Sequence, residues 1–286
     1  MPADFLRRLI GRPQPSAEAR EALEELTRLA AERPTLAEPC RLLGDVLPAL
    51  FGVPLAEPEL EIPAERARSK WGSGVPLLRG ESLAPDAGFE RRFRTVAAAA
   101  NLSTADCGVR ELVPELLAGR REAIDAWAES HRLDPALTAT VLRLTLFPQL
   151  AAVHARWTDE LAALRWEHGF CPVCGSWPLL GEFRGLEQQR VLRCGLCAAG
   201  WETPRLRCPY CATTDHEQLG YFFVEAEEGK YRVTTCSSCR GYVKMVSTLS
   251  ELSPPRLLVA DVATLHLDLA AADRGYVCPP APAESA

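Results

Sequence analysis

The sequence predicts an α+β protein in which an irregular all-helical region precedes a cysteine-rich β region. Up to about residue 168, apolar residues recur at helical spacing with hardly any β-type alternation. Beyond that point the helical periodicity stops, and short β-branched and aromatic runs separated by turn residues take over. Eight of the eleven cysteines fall in this second region as four CxxC pairs. The expected architecture is an irregular helical domain over residues 1–168, two tandem rubredoxin-like or zinc-ribbon four-cysteine units over 169–204 and 205–250, and a short C-terminal helix with a disordered tail over 251–286.

In the helical region, residues 17–33 form an amphipathic segment with Leu23, Leu26 and Ala30 on one face, Ser16 as N-cap and Pro34 as the stop. Thr35 and Glu38 read as a capping box opening a second helix through Leu42, Leu43, Val46 and Leu50. The Gly/Pro-rich stretch Gly72 to Gly88 reads as a loop, and further helices are expected at 89–100, 109–118 and 120–131. Asp134-Pro135 supplies an N-cap and an N1 proline for a long apolar helix, which Pro148 is expected to kink or split.

In the β region each long gap inside the cysteine array reads as a hairpin. WPLLGEF and RVLR flank the turn RGLEQQ, and LGYFFVEA and YRVTT flank EEGK. A final helix is expected from about Pro255 to Leu269, and the tail PPAPAESA has the composition of a disordered segment.

The knuckles are Cys171/Cys174, Cys194/Cys197, Cys208/Cys211 and Cys236/Cys239. Two thiolates do not complete a tetrahedral shell, so each metal site needs two knuckles. Gaps of 19 residues between Cys174 and Cys194 and 24 between Cys211 and Cys236 suit a hairpin that brings the second knuckle to the first. CPVCGS and CPYCAT open the two units and CGLC and CSSC close them, a repeat of roughly 40 residues. This favours pairing the first knuckle with the second and the third with the fourth. The rival pairing joins the second and third across the ten residues Ala198 to Arg207. Four sulfurs suit zinc, as a structural ion, and a single iron almost equally. Cys40, Cys107 and Cys278 lie outside any knuckle and read as incidental. His168 is not needed as a ligand, and His154 and His266 read as surface or satisfied histidines.

The net charge of −6 argues against a protein that lives by neutralising phosphates. A local basic stripe of Arg184, Arg190, Arg193, Arg205, Arg207, Lys230, Arg232 and Arg240 keeps a zinc-ribbon nucleic-acid binder as an alternative. A CxxC-based redox protein is a second alternative, although no pair opens a helix after a strand as thioredoxin-type pairs do. No base, nucleophile or phosphate loop stands at motif spacing, so no catalytic residue and no enzymatic activity are expected. MPADFLRRLIGRPQ lacks the apolar stretch and cleavage site of a signal peptide, and no run of about 18 apolar residues occurs. The expectation is therefore a cytoplasmic protein without membrane insertion, either a monomer or a weak homodimer.

The order CPVCGS-W-P, then CGLC-x3-Trp-x3-Arg-x2-CPYC, a Glu-bearing strand, CSSCRGYVK, DVATLHLD and GY resembles the FdhE family, the formate dehydrogenase accessory or formation proteins of bacteria. Matching positions besides the eight cysteines are Gly175, Pro178, Trp201, Arg205, Glu225, Tyr242, Lys244, Asp261, Leu265, Asp268, Gly275 and Tyr276. Val262 and the sequence after Tyr276 depart from the pattern. The resemblance implies a cytoplasmic protein that binds the catalytic subunit of a respiratory formate dehydrogenase during its maturation. It also implies rubredoxin-like sites holding iron, one per four-cysteine group and two in total, with zinc as the alternative occupant. Read without the resemblance, Trp201 and Tyr242 cap the knuckles, and Arg205, Lys244 and Asp261 form salt bridges that orient the two units.

Overall fold

The computed structural model describes residues 16–52, 60–102, 108–225 and 227–279. Cys107, the N-terminal fifteen residues and the tail from residue 280 lie outside the described residues. Among the described residues, eight α-helices precede the β region: α1 (Ala17–Glu32), α2 (Ala37–Phe51), α3 (Ala64–Gly72), α4 (Phe89–Ala99), α5 (Leu112–Leu117), α6 (Arg121–Ser130), α7 (Pro135–Ala155) and α8 (Thr158–Ala162). Six strands follow among the described residues: β1 (Pro178–Arg184), β2 (Gln189–Cys194), β3 (Gly200–Glu202), β4 (Leu219–Phe222), β5 (Tyr231–Cys236) and β6 (Tyr242–Thr248). Helices α9 (Pro254–Ala263) and α10 (Leu265–Asp273) end the described fold.

The helix starts follow local chemistry. Ser16 Oγ accepts from the Ala19 amide at 3.2 Å and opens α1, whose buried stripe is Ala19, Ala22 and Leu26. Asp134 Oδ1 accepts from the Leu137 amide at 2.7 Å and opens α7. The Thr35–Glu38 capping box does not form. Pro34–Leu36 is a 3-10 turn, and α2 starts after Leu36 with no side-chain cap. Pro148 does not divide α7, which runs unbroken for 21 residues through the middle of the helical core. α7 is long and apolar enough to cross a membrane, but most of it is buried inside this fold. Helices α3 and α8 were not expected from the sequence. The final segment is two helices rather than one, divided at Thr264, whose hydroxyl donates to Ala260 O at 2.7 Å.

The first hairpin forms where the sequence places it, while in the second the strand expected over LGYFFVEA stops at Phe222; both belong to one sheet. The strand order is β3-β2-β1-β6-β5-β4, with every neighbour antiparallel except the parallel pair β1·β6. That pair, in register Gly181↔Met245 through Arg184↔Thr248, fuses the two four-cysteine units into a single β framework. Gly181 permits it, because a Cβ there would lie 2.6 Å from the Met245 sulfur. β1 and β2 are buried almost throughout, as strands covered on both faces must be. The C-terminal helices return to the N-terminal ones: Arg256 pairs with Glu25 at 3.3 Å, and Glu227 binds both Arg33 and His266.

Candidate metal centres

Each knuckle is a tight turn closed by backbone. The amides of Cys171, Cys194, Cys208 and Cys236 donate to Ser176, Ala199, Thr213 and Gly241 carbonyls at 2.8–2.9 Å. The residue after the second cysteine of every knuckle is left-handed: Gly175 at φ 80°, and Ala198, Ala212 and Arg240 each at φ 60°. Only the first of the four uses glycine, so three knuckles carry a strained backbone that the surrounding bonds hold in place. The Val173 and Leu196 amides point at the Cys171 and Cys194 sulfurs at 3.4 and 3.3 Å. In this way sequence-adjacent N–H groups stabilise negative sulfur.

The fold brings the first knuckle to the second and the third to the fourth. Cys171, Cys174, Cys194 and Cys197 form one group, Cys208, Cys211, Cys236 and Cys239 the other, and within each all sulfurs lie within 4.8 Å of one another. The closest separations are 3.5 Å (Cys171–Cys197), 3.4 Å (Cys174–Cys194), 3.6 Å (Cys208–Cys239) and 3.7 Å (Cys211–Cys236). A disulfide needs about 2.05 Å. A metal–sulfur bond of about 2.3 Å puts the edge of an S4 tetrahedron near 3.8 Å, so the spacing suits a tetrahedral ion. The rival pairing across Ala198–Arg207 is not formed.

The two groups differ in exposure. In site 1 every cysteine is buried, whereas in site 2 Cys211 is exposed and Cys239 half-buried. Helical-region residues cause the difference. The loop after α3 lies over the first knuckle, where Leu77 and Leu78 amides donate to Pro172 and Val173 carbonyls at 2.8 Å. Trp71 Nε1 donates to Pro172 O at 3.0 Å. Lys70 holds that loop closed through Leu77 O, Arg79 O and Glu81 at 2.5–2.7 Å.

On the sheet side, Arg193 and Glu182 form a fully buried pair. Arg193 Nη2 also donates at 2.9 Å to Ala198 O, inside the second knuckle, and to Leu252 O. Burial pushes the Cys171 and Cys197 thiols well up. The sulfur hydrogen bonds Cys174 receives from Cys171, Cys194 and Cys197 hold it well below the ordinary thiol range. In site 2 burial works against the charge on Cys236, yet the Cys239 amide and the neighbouring sulfurs hold its thiol low.

The remaining residues singled out in the sequence are placed as follows. Trp201 is buried on β3 beside the first unit. Lys244, 3% exposed, pairs with Asp261 at 2.6 Å and Asp268 at 2.7 Å, and Tyr242 donates to Asp268 at 2.8 Å. These ion pairs tie β6 to α9 and α10 rather than one cysteine unit to the other. Among the described residues Arg205 makes no salt bridge; it donates to the Glu187 and Gln188 carbonyls of the β1–β2 turn and lies over Phe183. His168 stacks on Phe170 at 4.9 Å and joins neither cysteine group. His266 is satisfied by Glu227. Cys40 is buried in the helical core and Cys278 is exposed. The sequence offers Arg190 and Arg193 only as members of a basic surface stripe, whereas both are buried, and it does not single out Glu182. Charged residues inside a strand pattern were the available signal, since a buried strand leaves them nowhere to go but a partner.

A model of the FdhE C-terminal domain matches residues 206–279. An FdhE homologue of Stutzerimonas stutzeri is 31% identical over 275 residues, 88% of this chain and 84% of the relative. The chain belongs to the FdhE family. A family member from Aquifex aeolicus is 29% identical over 154 residues, 52% of this chain and 53% of the relative. The crystal structure of the FdhE protein from Pseudomonas aeruginosa superposes with a TM-score of 0.59 at 26% identity, covering 93% of this chain and 95% of that one. The arrangement of helices, sheet and two cysteine groups is therefore the family's fold.

Proposed function

We propose that this chain is an accessory protein, not an enzyme, that binds the catalytic subunit of a respiratory formate dehydrogenase in the cytoplasm during maturation. Cys171, Cys174, Cys194 and Cys197 hold one metal ion, and Cys208, Cys211, Cys236 and Cys239 the second. Iron is the assigned occupant of each and zinc the alternative. A four-thiolate ion supplies rigidity, and iron adds a one-electron couple. The observation that carries this reading is a pair of four-sulfur groups with tetrahedral spacing in a member of the FdhE family.

The difference in exposure supports distinct roles for the two sites. Site 1, sealed between the helical region and the sheet, fastens the two together. Site 2, with Cys211 at the surface, faces the client. Residues 169–250 act as one folding unit built on the continuous sheet rather than as two independent ribbons, which the β1·β6 pair supports.

The test is an affinity pull-down of tagged chain from a formate-respiring host, with partners identified by mass spectrometry. The proposal expects a formate dehydrogenase catalytic subunit, with recovery lost in Cys211→Ser while the helical core remains folded. Recovery of no dehydrogenase, or of equal amounts with the cysteine variant, would overturn it.

A further inference from the structure

Four arginines converge on one pocket of about 200 Å³ beside site 2: Arg190, Arg205, Arg207 and Arg232. No aspartate or glutamate lines it, and among the described residues none of the four makes a salt bridge. This is unusual in a chain of net charge −6, where a surface arginine has carboxylates within easy reach.

Arg190 is the most telling. It is 4% exposed, and its Nη1 is held by the Pro204 and Arg207 carbonyls at 3.0 and 2.8 Å. Its buried Nε has no hydrogen-bond partner among the described residues. A guanidinium taken out of water without a counter-charge is strongly disfavoured, so a buried one is expected to face an anion. The anionic cluster of site 2 is one part of the answer, since Cys208 lines the same pocket. Four thiolates around a divalent ion carry a formal charge of −2. Against four guanidinium groups that leaves two positive charges without a partner.

The rim supplies a second surface. Tyr221, 65% exposed, stands at the pocket mouth, and Arg232 reaches over both Tyr221 and Phe183 at 6.0 Å from each ring. Forked donors around a small pocket match the oxygens of a phosphate group, and an exposed ring beside them offers a stacking face.

We propose that this pocket is an anion site for a pyrophosphate-bearing small ligand, with Arg190, Arg207 and Arg232 on the phosphate oxygens and Tyr221 against a planar ring of the same ligand. A volume of about 200 Å³ accommodates the diphosphate and leaves the ring at the mouth.

The test is calorimetric titration of the full, metal-loaded chain with inorganic pyrophosphate, with ADP, and with single-stranded oligonucleotides of increasing length. The expected result is one saturable pyrophosphate site per chain. ADP should bind about tenfold more tightly, a gain that Tyr221→Ala removes. Arg207→Gln and Arg232→Gln should each weaken both ligands by about tenfold or more, while Arg66→Gln, distant from the pocket, changes nothing. Metal content and circular dichroism serve as controls. Should Arg207→Gln shed metal because it adjoins Cys208, Arg232→Gln decides alone. Absence of saturable pyrophosphate binding, or binding that survives Arg232→Gln, overturns the proposal. Affinity that grows with oligonucleotide length and falls steeply with salt also overturns it and assigns the arginines to a nucleic-acid backbone.

Discussion

Changing Arg193 to methionine removes the nearer of the two cations paired with Glu182 among the described residues, and its consequences can be worked from the structure. Glu182 is fully buried on β1, Arg193 is 1% exposed on β2, and the strands pair directly. Methionine fills much of the same volume, so the packing loss is small. What remains is a carboxylate whose main partner is gone. Thr248 Oγ1 at 2.9 Å and Arg184 at 3.3 Å replace it only in part.

Removing one member of a buried pair costs about 3–5 kcal/mol. At about 2–4 °C per kcal/mol for a chain of this size class, the midpoint should fall by about 6–20 °C. The Ala198 and Leu252 carbonyls lose their donor as well, and Ala198 sits in the second knuckle, so site 1 should release its metal earlier on heating than site 2. The assay is a thermal melt followed in parallel by circular dichroism and metal release into a chromogenic chelator. The double change Glu182→Met with Arg193→Met should be more stable than the single one, because no charge is left stranded. A loss below about 1 kcal/mol for Arg193→Met, or a double variant no better than the single, would refute the reasoning.

Three further outcomes follow from the same geometry. A competing chelator at neutral pH should strip the chain in two phases, site 2 first because Cys211 is exposed and Cys239 half-buried; a single phase removing both ions contradicts the exposure argument. Gly169→Ala places a Cβ 1.7 Å from Pro209 O, a backbone atom, and should cost about 1–3 kcal/mol in the denaturant midpoint by pushing the first knuckle off the third. The Asp86–Arg92 pair gives a pH signature. Burial opposes ionisation of Asp86, but the Arg92 guanidinium at 2.6 Å holds its carboxyl below the ordinary 3.8. A depressed folded-state value contributes stability above about pH 3.8 that is lost as pH falls through the folded value. Asp86→Asn should therefore be less stable than the parent at pH 7, with the difference shrinking below pH 4 in chemical-denaturation series.

The cysteine groups were legible because their determinants are local. A CxxC turn is fixed by four residues, and the repeat of CPVCGS in CPYCAT indicated which turns belong together. The first hairpin was legible for the same reason, closed by a short turn between Arg184 and Gln189, whereas the second joins Phe222 to Tyr231 through a longer connection than its EEGK turn suggested. The merger of the two units was not, since β1·β6 joins residues more than sixty positions apart, and Gly181 reads as an ordinary strand glycine until Met245 is seen beside it. β3 is too short, at three residues, to leave a periodic trace. Helix α3 was hidden by its polarity, because AERARSKWG buries only Ala67 and Trp71. The sealing of site 1 depends on Trp71 and Leu77 reaching Pro172 across about a hundred residues, which no window-based pattern encodes. The Thr35–Glu38 motif failed because Pro34 sets a 3-10 turn that moves the start of the α-helix past Thr35.

The most direct measurement is sulfur-ligand X-ray absorption on the purified full chain, combined with metal and protein quantitation. Two ions per chain, each with four sulfurs at about 2.3 Å and no nitrogen or oxygen shell, is the predicted result. Fewer than one ion per chain, a mixed nitrogen–sulfur shell, or cysteines recovered as disulfides would contradict the assignment of both groups as four-thiolate metal centres.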